Sequence, residues 1–374
     1  MDLLSDAVVV VAAALAVVSI SAAAWFSSRT PRSWRGAGLN LVIVTVSAAL
    51  VALSLGLVLN RYNAWYPTIA DLWATPSDDE TSQDAGAAPS VVFTEKPTPG
   101  ATQADTRHLP PLPTPGARIQ RFSVPTGNGK QSWPAVVVLP KGYGEAANAR
   151  RSYPVLYAGH GFPGTPQQWL GSLNLPGQVD LLTDAKRLAS LIIVIPDLMP
   201  NRTDTECAFG PDGPTQVESW LATDLPAFLH SRLRTQTART SQAWIGFSAG
   251  GWCGAMATML HPEQFSAAIS LGGYFRPIWD KRTPDWARNS AAGKRLDLVS
   301  LAAHAPPPVA LWLQTSRRDP QTFPVTQELI KAAKPPLSIT ATITETGGHT
   351  TATWAPYVEP GLSWLGRTVP GFRP

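Results

Sequence analysis

Two runs without a charged residue dominate the start of the chain: Ala7 to Phe26, "AVVVVAAALAVVSISAAAWF", and Leu39 to Leu59, "LNLVIVTVSAALVALSLGLVL". Each has the roughly 20 residues a helix needs to cross a hydrocarbon core. In lipid every backbone polar group must be satisfied internally, so runs like these have few options besides helix. A cleaved signal peptide is the competing reading of the first run. Its flank, "MDLLSD", carries two acids and no Lys or Arg, whereas a signal peptide opens on a basic region. The residues therefore predict an anchor over 1–74 with two transmembrane helices, about 7–26 and 39–59. The intervening loop holds Arg29, Arg32 and Arg35 and no acid, which by the positive-inside rule puts it in the cytoplasm. Everything after Leu59 is then expected on the outer side. It begins with Trp65, Tyr66 and Trp73, ring types that favour the headgroup level.

Residues 75–116 change character. They hold eight prolines and little that could be buried. Such a segment cannot offset the entropy of ordering, and its prolines favour extended chain. It is expected to be a disordered tether that holds a catalytic domain, 117–374, off the membrane.

From Ala117 the apolar pattern is that of an α/β domain. Residues 118–124 and 134–140 read as a hairpin around Gly-Asn-Gly. Further strands are expected at 153–159, 191–197, 242–248, 267–273, 308–315 and 337–344. The run "LIIVIPD" (191–197) is continuously apolar, as in a strand buried on both faces. Helical patterns fall between them, at 176–189, 216–235, 249–260 and 322–333. Alternation of buried strands with helices implies a mostly parallel sheet covered on both sides. This is the element order of an α/β-hydrolase fold, with 274–307 inserted between two late strands. Trp279 and Trp286 of that insertion are expected to shape a substrate pocket.

Within this frame "GFSAG", Gly246 to Gly250, fits G-x-S-x-G. The pattern alone is weak. A preceding strand and a following small-residue helix make it a nucleophile elbow, in which Ser248 sits on strained backbone between glycines. A serine hydroxyl needs an adjacent base. Of six histidines, His349 in "ETGGHTTATW" follows the last strand, and two glycines let its loop bend back over the sheet edge. The third member should be an acid after the seventh strand. Asp319 in "SRRDP" has that position, with a helix-capping role as its competing reading and Glu345 as runner-up. Ser248, Asp319 and His349 then follow the chain order of the fold. Backbone N–H groups of Ala249 and Phe162 are the expected oxyanion donors. His160, just before Gly161, reads as a residue that shapes the loop.

Together these residues resemble the esterase D family, which includes S-formylglutathione hydrolases, extracellular esterases and mycolyltransferases. The likeness covers about residues 117–366 and rests on "YAGHGFPG", "GFSAGGWCGAMA", "HPEQFSAAISLGGYF" and "GGHTTATW". Members often carry Asp or Asn directly after the histidine; here it is Thr350. The N-terminal helices with "YNAWYPTIADLW" look like membrane-anchored actinobacterial members. The resemblance implies ester hydrolysis through an acyl-enzyme. Transfer of the acyl group to an envelope sugar or lipid hydroxyl, and a silent envelope-binding module, are the alternatives.

The two cysteines, Cys207 and Cys253, are too few for a disulfide scaffold or a four-cysteine zinc site. In an exported domain one bridge between them is expected, against the reading of two separate buried thiols. From Ala117 onward there are 24 basic and 17 acidic residues. They are scattered, so solubility rather than nucleic-acid binding is the expected consequence. No phosphate loop or metal-ligand cluster is visible, and no cofactor or metal is expected. The expected partners are an ester substrate and the membrane.

Overall fold

The computed structural model describes residues 2–29, 34–72, 80–88, 92–93, 108–199, 204–210, 213, 216–279 and 285–374. The two apolar runs form α1 (Asp6–Ser27) and α2 (Trp34–Asn63), which pack on each other and pair Asp6 with Arg61. Both are long and apolar enough to cross a membrane. Their outward side chains, Val10, Val17 and Leu41 among them, are exposed rather than covered by the rest of the chain.

The sheet has nine strands in the order β1-β9-β8-β7-β6-β4-β5-β3-β2. They are β1 (Glu80–Gly86), β2 (Ile119–Pro125), β3 (Ser132–Val138), β4 (Val155–Gly159), β5 (Ile192–Pro196), β6 (Gln242–Phe247), β7 (Ala267–Leu271), β8 (Ala310–Ser316) and β9 (Ser338–Thr344). Strands β4 to β9 run parallel, and antiparallel pairs lie at both edges. The parallel strands β4 to β8 are buried along their whole length, which is why their sequences read as unbroken apolar runs. Alternate residues serve two cores. Along β6, Trp244 faces one core while Ala243, Ile245 and Phe247 face the other. Each fully buried Ile or Phe of this kind contributes about 1.5–3 kcal/mol.

The helices that cover the sheet include α3 (Leu175–Asp184), α4 (Ala249–Leu260), α5 (Leu298–His304), α6 (Phe323–Ala332) and α7 (Val358–Thr368). Helical turns also run through Gln216–Ser219, Trp220–Asp224 and Leu225–Arg232. The eight strands read from the sequence are all present within a few residues.

The tether departs from expectation. Part of 75–116 lies outside the described residues, but Glu80–Gly86 is an ordered strand, not a disordered stretch. It pairs antiparallel with β9 over seven residues, from Glu80 against Thr344 to Gly86 against Ser338. Its sequence, "ETSQDAG", is polar and mostly exposed. An edge strand is held through backbone hydrogen bonds and needs no apolar face, so composition gave no sign of it.

Strand order reverses between β4 and β6. The chain goes from β4 outward to β5, then returns to the other side of β4 for β6. In open α/β sheets the crevice at such a switch point, beyond the carboxyl ends of the strands, is where ligands bind. "GHGF" leaves β4 there, and Ser248 leaves β6.

Candidate active site

Ser248 has φ 53° and ψ −126°, backbone that an L side chain adopts only at a cost of order 1–3 kcal/mol. Its neighbours explain how that conformation is held. A Cβ on Gly246 would sit 2.0 Å from the Gly250 carbonyl oxygen, and one on Gly250 would sit 2.1 Å from the Gly159 carbonyl oxygen. Strand, turn and helix therefore meet backbone to backbone, and Ser248 is pushed out at the top of β6. The Ser248 N–H donates to Leu271 O at 2.9 Å, tying the turn to β7.

Three predicted side chains meet. Ser248 Oγ lies 2.7 Å from His349 Nε2, and His349 Nδ1 lies 2.8 Å from Asp319 Oδ2. Asp319 is 1% exposed. With the carboxylate on Nδ1, that nitrogen carries the proton and Nε2 is free to accept the serine's. Asp319 does not cap the helix that follows, whose N-cap is Thr322; its Oδ1 accepts from the Gln321 N–H at 3.0 Å in the turn before it. Glu345 lies elsewhere, paired at the surface with Arg317 at 2.7 Å.

Several supports were not apparent in the sequence. Thr322 Oγ1 donates to Asp319 Oδ2 at 2.7 Å, giving the carboxylate a second fixed partner. Ser316 Oγ donates to Gly347 O at 2.7 Å, so the acid's loop and the base's loop are joined. Trp354 stands edge-on to the His349 ring, centroids 4.8 Å apart, and stacks on Phe247 behind the nucleophile. The Trp of "GGHTTATW" thus holds the imidazole's face. Thr350 caps the short helix Thr351–Trp354 by accepting from the Thr353 N–H. Asp and Asn are likewise strong helix N-caps, so the family's usual residues and Thr350 can do the same local work. Apart from Phe247, none of these side chains lies near Ser248 in sequence, and only the fold brings them there.

Among the described residues, neither the Phe162 nor the Ala249 backbone N–H has an acceptor within the protein. The loop carrying Phe162 passes the nucleophile closely: a Cβ on Gly161 would lie 3.2 Å from Ser248 Cβ. The Ala249 N–H follows Ser248 directly in the chain, and the Phe162 N–H is in the loop beside it. His160 is fully buried beneath this loop. Its Nε2 accepts from the Leu198 N–H at 3.1 Å, which puts its proton on Nδ1, facing Gly161 O at 2.9 Å.

Cys207 and Cys253 form a disulfide. It joins a loop with left-handed backbone at Glu206 and Cys207 to α4, five residues after the nucleophile. Trp252 Nε1 donates to Glu206 O at 3.0 Å beside it. By loop entropy the bridge contributes about 4 kcal/mol. In the insertion, Tyr274 stacks on Trp252 and Trp279 approaches Phe209. The Trp286 side chain lies outside the described residues.

Known proteins place the chain in a family and a fold. A family model described as "Putative esterase" matches residues 129–356. Among solved structures, a ferulic acid esterase superposes with a TM-score of 0.55 at 18% identity, over 67% of this chain and 97% of its own. An S-formylglutathione hydrolase from Agrobacterium tumefaciens gives 0.53 at 16% identity, over 72% and 99%. A fluorophosphonate-binding serine hydrolase of Staphylococcus aureus gives 0.52 at 13%, over 67% and 99%. At these identities the likeness is one of fold. An uncharacterized protein of Corynebacterium glutamicum is 24% identical over 148 residues, 40% of this chain. The match spans about a third, 34%, of that relative's length. The family match covers more than half of the chain, and the chain belongs to the esterase family, hydrolases built on the α/β-hydrolase fold.

Proposed function

We propose that the protein is a serine esterase that hydrolyses carboxylic esters through an acyl-enzyme on Ser248. The observation that carries this is the continuous chain of hydrogen bonds from Ser248 Oγ through His349 to Asp319, beginning at strained backbone. Ser248 Oγ attacks the ester carbonyl as His349 Nε2 takes its proton. The N–H groups of Phe162 and Ala249 hold the oxyanion. The ester C–O bond breaks and the leaving alcohol receives the proton from His349. Water then attacks the acyl-enzyme by the same path in reverse, releasing the acid and restoring Ser248. Asp319 keeps the imidazole in the right tautomer and orientation.

The catalytic domain, 117–374 with β1 added at its edge, is held at the outer face of a membrane by the anchor 1–74. Arg29, Arg32 and Arg35, between the two uncharged runs of the sequence, support that orientation. The Cys207–Cys253 bridge supports an oxidising compartment. The test is a fluorophosphonate probe on the full chain, with hydrolysis of a short p-nitrophenyl ester read alongside. Labelling and turnover are expected in the wild type and absent in Ser248→Ala and His349→Ala. A folded wild type that neither labels nor turns over would refute the reading. Added acceptor alcohols would reveal transfer as a rise in total turnover.

A further inference from the structure

Just beyond Asn63 the described chain stays on the domain. Residues 64–72 form a strap across the base and acid loops. The Asn60 side chain donates to Tyr66 O at 2.9 Å and accepts from the Tyr66 N–H at 2.8 Å, which folds the chain back at the end of α2. Ala64, in left-handed backbone at φ 52°, presents its carbonyl to the His349 N–H at 3.0 Å. Gly348 packs so closely under Trp65 that a Cβ there would lie 2.1 Å from the Trp65 carbonyl oxygen. Gln321 Nε2 donates to Tyr62 O at 3.2 Å, and Arg318 reaches Thr68 Oγ1 at 3.4 Å. The chain's start joins the same strap, with the Leu3 N–H donating to Pro67 O at 2.8 Å.

On the tether reading, these contacts tie the depth of the triad to the end of α2. Leu59 ends the uncharged run, and the run's length matches a hydrocarbon core of about 30 Å. Five further residues carry the chain about 7.5 Å to Ala64 at the helical rise. The headgroup layer outside the core is about 5–8 Å thick. The carbonyl that holds the His349 backbone is therefore at headgroup level, and Ser248 is one imidazole away. The strap's exposed side chains fit that depth. Tyr62 at the end of α2 and Trp65, Ile69 and Leu72 of the strap are exposed, and aromatic rings such as those of Tyr62 and Trp65 favour this layer.

We propose that the substrate is an ester-bearing amphiphile resident in the leaflet where α2 ends, cleaved while its acyl chains remain in the bilayer. The proposal rests on the serine-esterase and tether readings above and goes beyond them by naming where the ester is met. Ser248 Oγ forms a bond to the acyl carbon, the ester C–O bond breaks, and the alcohol portion leaves with the proton from His349. Water then releases the acyl chain as a carboxylic acid. A glycerolipid ester, whose carbonyl lies at the edge of the hydrocarbon core, has the matching geometry.

The test uses the full chain in phosphatidylcholine vesicles containing a fluorogenic diacylglycerol, with p-nitrophenyl acetate in the water phase as the soluble probe. The wild type is expected to hydrolyse both. Its rate on the diacylglycerol should follow mole fraction in the bilayer and fall when plain lipid is added at constant bulk concentration. A helical insertion of about ten residues between Leu59 and Asn60 lifts the strap and triad together by about 15 Å. It should cut diacylglycerol turnover by at least about 10-fold while soluble-ester turnover persists, since effective concentration depends on whether the site can reach its target. Hydrolysis of p-nitrophenyl acetate without hydrolysis of the bilayer ester would overturn the proposal and leave the esterase reading standing. So would a diacylglycerol rate indifferent to surface dilution, which is read on the wild type alone. Absence of both activities and of phosphonate labelling would overturn the esterase reading with it.

Discussion

The proposed nucleophile, Ser248, and the proposed base, His349, are held in opposite ways. Ser248 is fixed by what adjoins it in sequence and in the sheet: β6, the start of α4, and glycines that touch Gly159. Nothing outside the catalytic domain is needed. The His349 loop has no such self-sufficiency. Its backbone amide is answered by Ala64, and Gly348 lies against Trp65, some 280 residues earlier in the chain. One proposed catalytic partner is built locally and the other is completed by the segment that follows α2. The segment after an apolar helix is thereby part of the framework of the proposed site.

The largest expected effect comes from the autonomous side. Ser248→Ala removes only the attacking oxygen, so the fold should persist while kcat falls by about 10⁴–10⁶-fold, the range for triad nucleophiles. Ester hydrolysis and circular dichroism on the same sample would check both halves. Gly250→Ala tests the packing instead. Its new Cβ would collide with backbone at Gly159, which cannot swing aside. A loss of more than about 4 kcal/mol is expected, seen in denaturant melts or as failure to recover folded protein. A mild effect there would break the claim that the elbow depends on backbone contact.

The supported side is tested by removing its support. A chain beginning at Ala117 lacks the strap and β1. The exposed edge of β9 should promote association. The loosened His349 loop should cost about 100-fold in kcat on a soluble ester, as small misplacements of a base do. Phosphonate labelling should slow with it, while the elbow itself remains formed. Equal kcat for the shortened and full chains would show the strap to be a bystander. Asn60→Ala is gentler. It deletes the two hydrogen bonds that turn the chain toward Ala64, each contributing about 0.5–1.5 kcal/mol. Turnover should drop about 10-fold with KM little changed, because the residue acts on the position of His349 and not on substrate.

The same contrast marks what could be read from sequence. The elbow, the parallel strands and the order Ser248, Asp319, His349 announce themselves because local rules govern them: buried strands must be apolar, and a tight turn must be glycine-rich. Phe162 and Ala249 follow from their places beside those turns. Strand β1 and the strap do not announce themselves. Seven polar residues that pair only through their backbone look like linker, and "NAWYPTIADLW" looks like an interfacial flank whichever way it packs. Thr322 and Ser316 were equally silent, since a hydroxyl near an aspartate acquires meaning only when the loop's path is known. Proline content misled for a related reason. It reports the average stiffness of 75–116 and says nothing of one seven-residue stretch within it.

The smallest effect separates stability from activity on the nucleophile's side. His261 ends α4, with Nε2 2.6 Å from Glu218 and Nδ1 3.2 Å from Glu263. Burial alone would push its pKa down. The hydrogen bond to Glu218 and the charges of Glu218 and Glu263 outweigh burial and raise it above the ordinary histidine value. A group whose folded pKa is raised binds its proton more tightly when folded. Its stabilisation is therefore complete below the unfolded value, about 6.5, and is lost as pH rises through the folded one. Thermal melts should show stability declining over that window by up to about 1 kcal/mol, as suits a partly exposed pair. His261→Gln should flatten the decline. Because α4 also carries the elbow, a linked fall in kcat would mean that strain at Ser248 is sensitive to the far end of its own helix. An unchanged kcat would mean that glycine contacts alone suffice, and that of the two catalytic partners only His349 depends on parts at a distance.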